Sequence, residues 1–314
     1  MEGEKKELNR VEMSARVNDA RKKTKLYSAI ITVSVIGSLF FSIPPVLMQT
    51  NTPQSYLRFP FYVLAVFFSY KRYSIGKVLA KLVKENIVCE ILAETFELET
   101  YLPGGCLPAE QIDESGLLGG CGRCSGSDLV IGKYKGVHVE FCDIAVDHEI
   151  KNADGELTYF NVFNGQWLEI ALKRQLSSAV YLAERIGSNS IRGSLKMQEV
   201  TTDSDAFNKK YQVLAKDPQM AFYVLTPHFM EYVTAADAAA DSVTYFCFMG
   251  NRARIAMGRK ENERNLFEFA NSKKINKKIN LDWVRSKVNS DLRYITGTLD
   301  ELLKNEYLFG RGVN

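Results

Sequence analysis

Apolar positions along the chain fall into three regimes. Residues 27–48, YSAIITVSVIGSLFFSIPPVLM, form an uncharged run of about 20 residues, the length a helix needs to cross a bilayer core. Pro44 and Pro45 come near its end, where a break in the helix costs least. A polar turn at 49–54 leads to a shorter apolar segment, 55–70, with Arg58 near its start and Tyr56, Tyr62 and Tyr70 suited to an interface. The pair predicts a two-helix transmembrane hairpin over 27–70. The alternative for its second half is an interfacial or re-entrant segment.

The second regime is helical. Ile75, Val78, Leu79 and Leu82, continued by Ile87 and Ile91, recur at helix spacing and predict a helix over 73–96. The third regime alternates. Strands are predicted at 128–131 and 137–144 around a Lys135-Gly136 turn, and at 157–163 and 166–171 around Asn164-Gly165. Further strands fall at 179–183 and 211–215, and a late hairpin at 243–249 and 254–257 turns at Gly250-Asn251. Residues 102–126, rich in Gly, Pro and Cys, read as a loop. Thr202-Asp203, Asp217-Pro218 and Thr226-Pro227 read as helix starts. Leu281, Val284, Val288, Leu292 and Ile295 mark a C-terminal amphipathic helix. Strands joined mostly by tight turns imply an α+β fold with an antiparallel-rich sheet, not a doubly wound one. The expected organisation is a basic leader (1–26), the hairpin (27–70), a linker helix (71–100), a soluble α+β domain (101–270) and a C-terminal helical segment (271–314).

Charge sets the expected sidedness. Lys22, Lys23 and Lys25 precede the hairpin and Lys71, Arg72 and Lys77 follow it, with only Arg58 between. The positive-inside rule then places both ends, and the α+β domain, in the cytoplasm. The leader is too long for a cleaved signal peptide, and no small-residue cleavage site follows the run. A net charge of +3 in 314 residues is close to balanced, which argues against nucleic acid as a partner. The basic run Lys273-Lys274-Ile275-Asn276-Lys277-Lys278 reads as a solvated connection, with anionic lipid as its other possible contact.

Chemistry is sparse. Cys121-Gly122-Arg123-Cys124 is the sharpest local pattern. A redox dithiol of the usual kind opens a helix, whereas here a strand follows. Zinc needs four ligands, and only one such pair exists; Cys106, Cys142, His138 or His148 could complete it, but no spacing singles them out. Cys121 and Cys124 are thus weak metal candidates, and no metal or cofactor is expected. With cytoplasmic sidedness, all six cysteines are expected as free thiols. His138, His148 and His228 stand in no ordered relation to a nucleophile. No phosphate-binding loop is present. Asp128, Asp143, Asp147, Asp203 and Asp205 read as turn and cap residues.

Several stretches together resemble the bacterial domain of unknown function family 3137. They are Glu114-Ser115-Gly116-Leu117, Gly126-Ser127-Asp128 with Gly132-Lys133 and Gly136, and Val139-Glu140-Phe141. Phe163-Asn164-Gly165-Gln166-Trp167 follows, then Thr202-Asp203 with Asp205 and Phe207, and Tyr211 with Val213. The strongest is Ala221-Phe222-Tyr223-Val224-Leu225-Thr226-Pro227 followed by Met230-Glu231, and Ile255-Ala256 and Leu266-Phe267-Glu268 close the set. The resemblance spans about 73–269 and implies a membrane-tethered bacterial protein, with no catalytic residues to carry over. Cys121 and Cys124 stand outside the pattern. The expected function is a non-enzymatic interaction or scaffold role at the bacterial inner membrane. Its expected partners are the lipid bilayer and an unidentified protein or a second copy of the chain. The alternative is a membrane-bound enzyme of unknown class, possibly metal-dependent.

Overall fold

The computed structural model describes residues 2–41, 58–119, 121–151, 155–185, 197–259, 265–268 and 281–310. The chain divides into two compact units, one of residues 1–86 with 269–284 and one of residues 87–268 with 285–314.

The first unit is built on two helices, α1 (Glu2–Phe40) and α2 (Arg58–Val83). They run antiparallel: Tyr27 meets Phe68, while Phe41 stacks on Phe61 at 5.7 Å between ring centroids. The contact is close because Gly37 faces the Phe61 ring, which a β-carbon there would meet at 2.8 Å. Among the described residues no helix is long and apolar enough to cross a membrane, so the transmembrane hairpin is not supported. In α2 the apolar run is bounded by Arg58 and Lys71 and falls short of the roughly 20 residues a crossing needs. Residues 42–48 of the first apolar run lie outside the described residues. Residues 49–54, and with them the expected polar turn, lie outside the described residues, as does the Lys273-Lys278 run.

α2 does not stop at Val83. It passes through a π-helical turn, Lys84–Val88, into α3 (Cys89–Thr95), so the helix expected over 73–96 is present with a local change of winding. Ile91, Leu92 and Phe96 are buried, and Phe96 packs on Phe141.

The second unit is an α+β domain around a seven-stranded sheet in which every pairing is antiparallel. Its strands are β1 (Glu97–Leu102), β2 (Arg123–Tyr134), β3 (Val137–Lys151), β4 (Leu157–Glu184), β5 (Gln198–Glu199), β6 (Tyr211–Ala215) and β7 (Thr244–Gly258). Its helices are α4 (Ala109–Glu114), α5 (Asp205–Lys210), α6 (Pro218–Val224), α7 (Pro227–Ala240), α8 (Leu281–Leu302), from Arg285 onward, and α9 (Glu306–Phe309). β4 is the spine. Its first half pairs with β3, its last residues pair with β6, and β7 runs along it from Gly165 to Ala183.

Two expected hairpins are therefore single strands. Asn164 and Gly165 sit inside β4 opposite Ala145 and Ile144, and Gly250-Asn251 sit inside β7. Gly165 is used for close approach: a β-carbon there would lie 2.1 Å from the Met257 carbonyl oxygen on β7. Gly250 adopts φ +60° at an irregularity in the β4–β7 register, a glycine bulge and not a turn. The Lys135-Gly136 turn is as expected, with both residues at positive φ as a tight hairpin requires. So are the starts of α6 and α7, where Asp217 and Thr226 accept from the backbone N–H of Gln219 and Phe229 ahead of proline at the first turn. At α5 the cap is Ser204, not Thr202 or Asp203. The expected loop at 102–126 contains α4 and the start of β2.

Strand alternation sorts the core. Val139, Phe141, Ile170, Leu182, Phe246, Phe248 and Ile255 share one sheet face and are fully buried. Phe229 of α7 packs on Phe248, and Thr298 of α8 bonds to the Ala236 carbonyl and to the Met257 sulfur. The opposite face carries Cys142, Ile144, Val146, Phe163, Trp167 and Ala256, covered by Leu107, Ile112 and Leu117 around α4.

Candidate functional site

In the helix pair the usual amphipathic order is inverted. Thr24, Ser34 and Ser38 of α1 are buried. Leu26, Val33, Ile36, Leu39 and Phe40 on the same helix are exposed, as are Tyr62, Val63, Val66, Phe67 and Tyr70 on α2. Small and hydroxylated residues let helix backbones approach closely, which is how helices associate when the surrounding medium is itself apolar. Cations flank this surface: Arg58 lies over the Phe59 ring, and Lys71 over Phe67.

Within the α+β domain the polar chemistry is buried. Glu140, Glu169 and Arg254 stand side by side on β3, β4 and β7. Like charges on adjacent strands repel, and two groups bridge them. Arg252 Nη1 donates to Glu140 at 2.7 Å and Glu169 at 2.8 Å, and Gln111 Nε2 donates to Glu169 at 3.0 Å. Trp167 Nε1 donates to Glu169 at 3.0 Å, while Arg254 donates to Glu169 at 3.2 Å and to Glu114 at 2.7 Å. Gln111 and Glu114 both come from α4, so this row holds the short helix on the sheet.

Two carboxyls are perturbed. Glu184, at the end of β4, is pushed up to about 7 by burial and by its hydrogen bond to Asp237, against the pull of Lys210. Asp237 also accepts from Tyr211 at 2.7 Å, from Thr244, and pairs with Lys210. Asp143 on β3 is likewise pushed up to about 7, chiefly by burial, although Arg259 and the Leu266 N–H favour its charged form. A shallow cleft beside Arg259 is lined by Gln166, Ser242, Met257, Gly258 and Tyr294.

Of the CxxC pattern, Cys121 stands just before β2 and Cys124 at its start, both partly buried against the core on the α4 side. All six cysteines are free thiols, and Cys142 and Cys247 are buried. Among the described residues no group of three or more His, Cys, Asp or Glu is placed to hold a metal ion. The histidines are scattered. His138 on β3 lies 3.8 Å from Glu99 and from Glu140, His148 bonds the Leu118 carbonyl at 2.9 Å, and His228 is exposed on α7. Asp205 opens α5, but Asp128 and Asp143 are not surface turn residues. Both are buried, with Asp128 accepting from Tyr101 at 2.8 Å. Sequence reasoning missed the Glu140–Glu169–Arg254 row. Its signal was a single charge inside each of three apolar strand segments.

Comparison with curated proteins finds no match. Among solved structures, the crystal structure of the mycobacterial trehalose monomycolate transport factor A, TtfA, aligns with a TM-score of 0.37 at 12% identity, over 68% of this chain and 95% of its own. A likeness that loose carries no argument about this chain. Residues 161–304 match a family described as "Protein of unknown function (DUF3137)". The match starts within β4 and runs past the end of α8. It takes in the Ala221–Pro227 stretch and leaves out Glu114 to Phe141. Over residues 161–304 this chain is similar to the DUF3137 family of proteins of unknown function.

Proposed function

We propose that the chain is a membrane-associated interaction protein, held at a lipid surface by the helix pair and presenting its α+β domain to a protein partner or a second copy of itself. The observation that carries the reading is the inverted helix pair: hydroxylated residues inside, with Val33, Ile36, Val63, Val66 and Phe67 outside. Burying one such side chain is worth about 1.5–3 kcal/mol, so the whole face left in water is a large cost. A contiguous apolar surface of this kind marks an interaction site. Inserted into the hydrocarbon without crossing it, the pair would keep Lys25, Lys71 and Arg72 at headgroup level. The cation excess at both ends favours the cytoplasmic side of a bacterial inner membrane.

The test is flotation of the full-length chain with vesicles of mixed neutral and anionic lipid. The chain is expected to float, and the double variant Val63→Asp/Phe67→Asp to stay at the bottom of the gradient while its circular dichroism is unchanged. A wild-type chain that remains below the vesicles as a discrete soluble oligomer would overturn the lipid reading and assign the apolar face to copies of the chain.

A further inference from the structure

The sheet face covered by α7 and α8 ends in a polar patch. Asp143, Gln166 and Met257 stand side by side there on β3, β4 and β7. Arg259 follows two positions after Met257, where strand alternation returns a side chain to the same face. Its backbone N–H still bonds the Asn164 carbonyl at 2.9 Å, which continues the ladder past the end of β7. The guanidinium is held from two sides: Nη1 donates to Asn164 Oδ1 at 2.7 Å and Nη2 to Asp143 at 2.9 Å. A guanidinium has more N–H donors than these two bonds use. From the helix side, the chain leaves α7 through Asp241, at φ +50°, and Ser242 comes next on the wall of the cleft, with Tyr294 of α8 beside it. Ser242 Oγ is buried and has no hydrogen-bond partner among the described residues. Leaving a buried hydroxyl unbonded is costly, and such a group in a native protein ordinarily meets a bound water or ligand.

We propose that this cleft binds the carboxylate group of a small organic acid, held by the Arg259 guanidinium and the Ser242 hydroxyl. The chemistry of the wall selects the class. Gln166, Ser242, Arg259 and Tyr294 can all donate a hydrogen bond, and no carboxylate lines the cleft. A planar guanidinium beside a hydroxyl matches the two oxygens of a carboxylate, and hydrogen bonds to a charged acceptor are the stronger kind. A single cation suits a monoanion. Its partner Asp143 is pushed up to about 7, chiefly by burial, so near neutrality that carboxyl is only partly ionised and leaves part of the Arg259 charge unbalanced. The cleft is small and shallow, which fits one end-group with the rest of the acid reaching into solvent. The ligand would give Ser242 Oγ the partner it lacks.

Sodium acetate is the probe. Saturation-transfer NMR on the full-length chain, in chloride buffer of matched ionic strength, reads transfer to the acetate methyl as a function of concentration. Transfer is expected in wild type. The dissociation constant should rise about fivefold in Ser242→Ala, which loses one hydrogen bond, and about tenfold in Arg259→Lys, which keeps the charge and loses the planar fork. Ser242→Ala is a mild change, and melting curves supply a second readout. Without acetate this variant should melt at or above wild type, because it removes a buried hydroxyl that has no partner. With acetate, wild type should gain more in melting temperature than the variant. Absence of transfer, or transfer unchanged in both variants, would overturn the proposal by leaving the cleft without the probe. Displacement of acetate by an equal concentration of inorganic phosphate would overturn the choice of a carboxylate. A Ser242→Ala chain that melts below wild type without acetate, and gains as much with it, would assign the hydroxyl to a bound water and end the proposal.

Discussion

Replacing Glu169 by glutamine keeps the volume of the side chain and removes one charge from the middle of the buried row. Arg254 is 3% exposed and Glu169 1% exposed, so neither can recover water when the other is neutralised. Breaking a buried ion pair from one side costs about 3–5 kcal/mol, because the remaining charge is left uncompensated. The same arginine also holds Glu114, at 2.7 Å against 3.2 Å for Glu169. Distance alone ranks Glu114 as the stronger partner. Burial ranks it far lower, since the Glu114 side chain is 64% exposed and water can take its place. An exposed pair contributes about 0–1 kcal/mol. With a urea dependence of about 2 kcal/mol per molar, Glu169→Gln should lower the unfolding midpoint by about 1.5–2.5 M, and Glu114→Gln by less than about 0.5 M. The assay is equilibrium urea unfolding of the full chain followed by circular dichroism. A Glu114→Gln loss equal to or larger than that of Glu169→Gln would refute the reasoning. The double variant Arg254→Met/Glu169→Met should cost less than the sum of its parts, because removing both charges leaves neither orphaned.

Gly165→Ala forces a β-carbon to 2.1 Å from the Met257 carbonyl and should lower the melting temperature markedly, whereas Gly104→Ala, with nothing within 4 Å of the added atom, should leave it nearly unchanged; equal effects would remove the close-approach account of Gly165. Glu184 and Asp143 bind their protons more tightly folded, at about 7, than in the unfolded chain. Their contribution to stability is therefore fully present below the ordinary carboxyl range and is lost as pH rises toward and through 7. The Glu184→Gln/Asp143→Asn variant should flatten the change in urea midpoint between pH 5 and pH 7.5, and an unchanged slope would assign the dependence to other groups.

Local chemistry was legible in the sequence by itself. The Lys135-Gly136 turn, the Asp217-Pro218 and Thr226-Pro227 helix starts and the C-terminal amphipathic stripe each depend on neighbours a few residues away, and each stands where the sequence puts it. The α+β class followed from the same alternation. What alternation could not convey is how far a strand continues. Asn164-Gly165 and Gly250-Asn251 have turn composition, yet pairing with β3 and β7 holds them extended, because ladder bonds made across the sheet outweigh a local preference. The charged row was hidden for the same reason. Glu140 and Arg252 are bonded across 112 positions, and no window of sequence contains both. The helix pair shows the converse. The apolar character of 27–48 and 55–70 was plain, but which residues turn inward was decided by packing at Gly37, where a missing side chain lets Phe61 and the second helix close in.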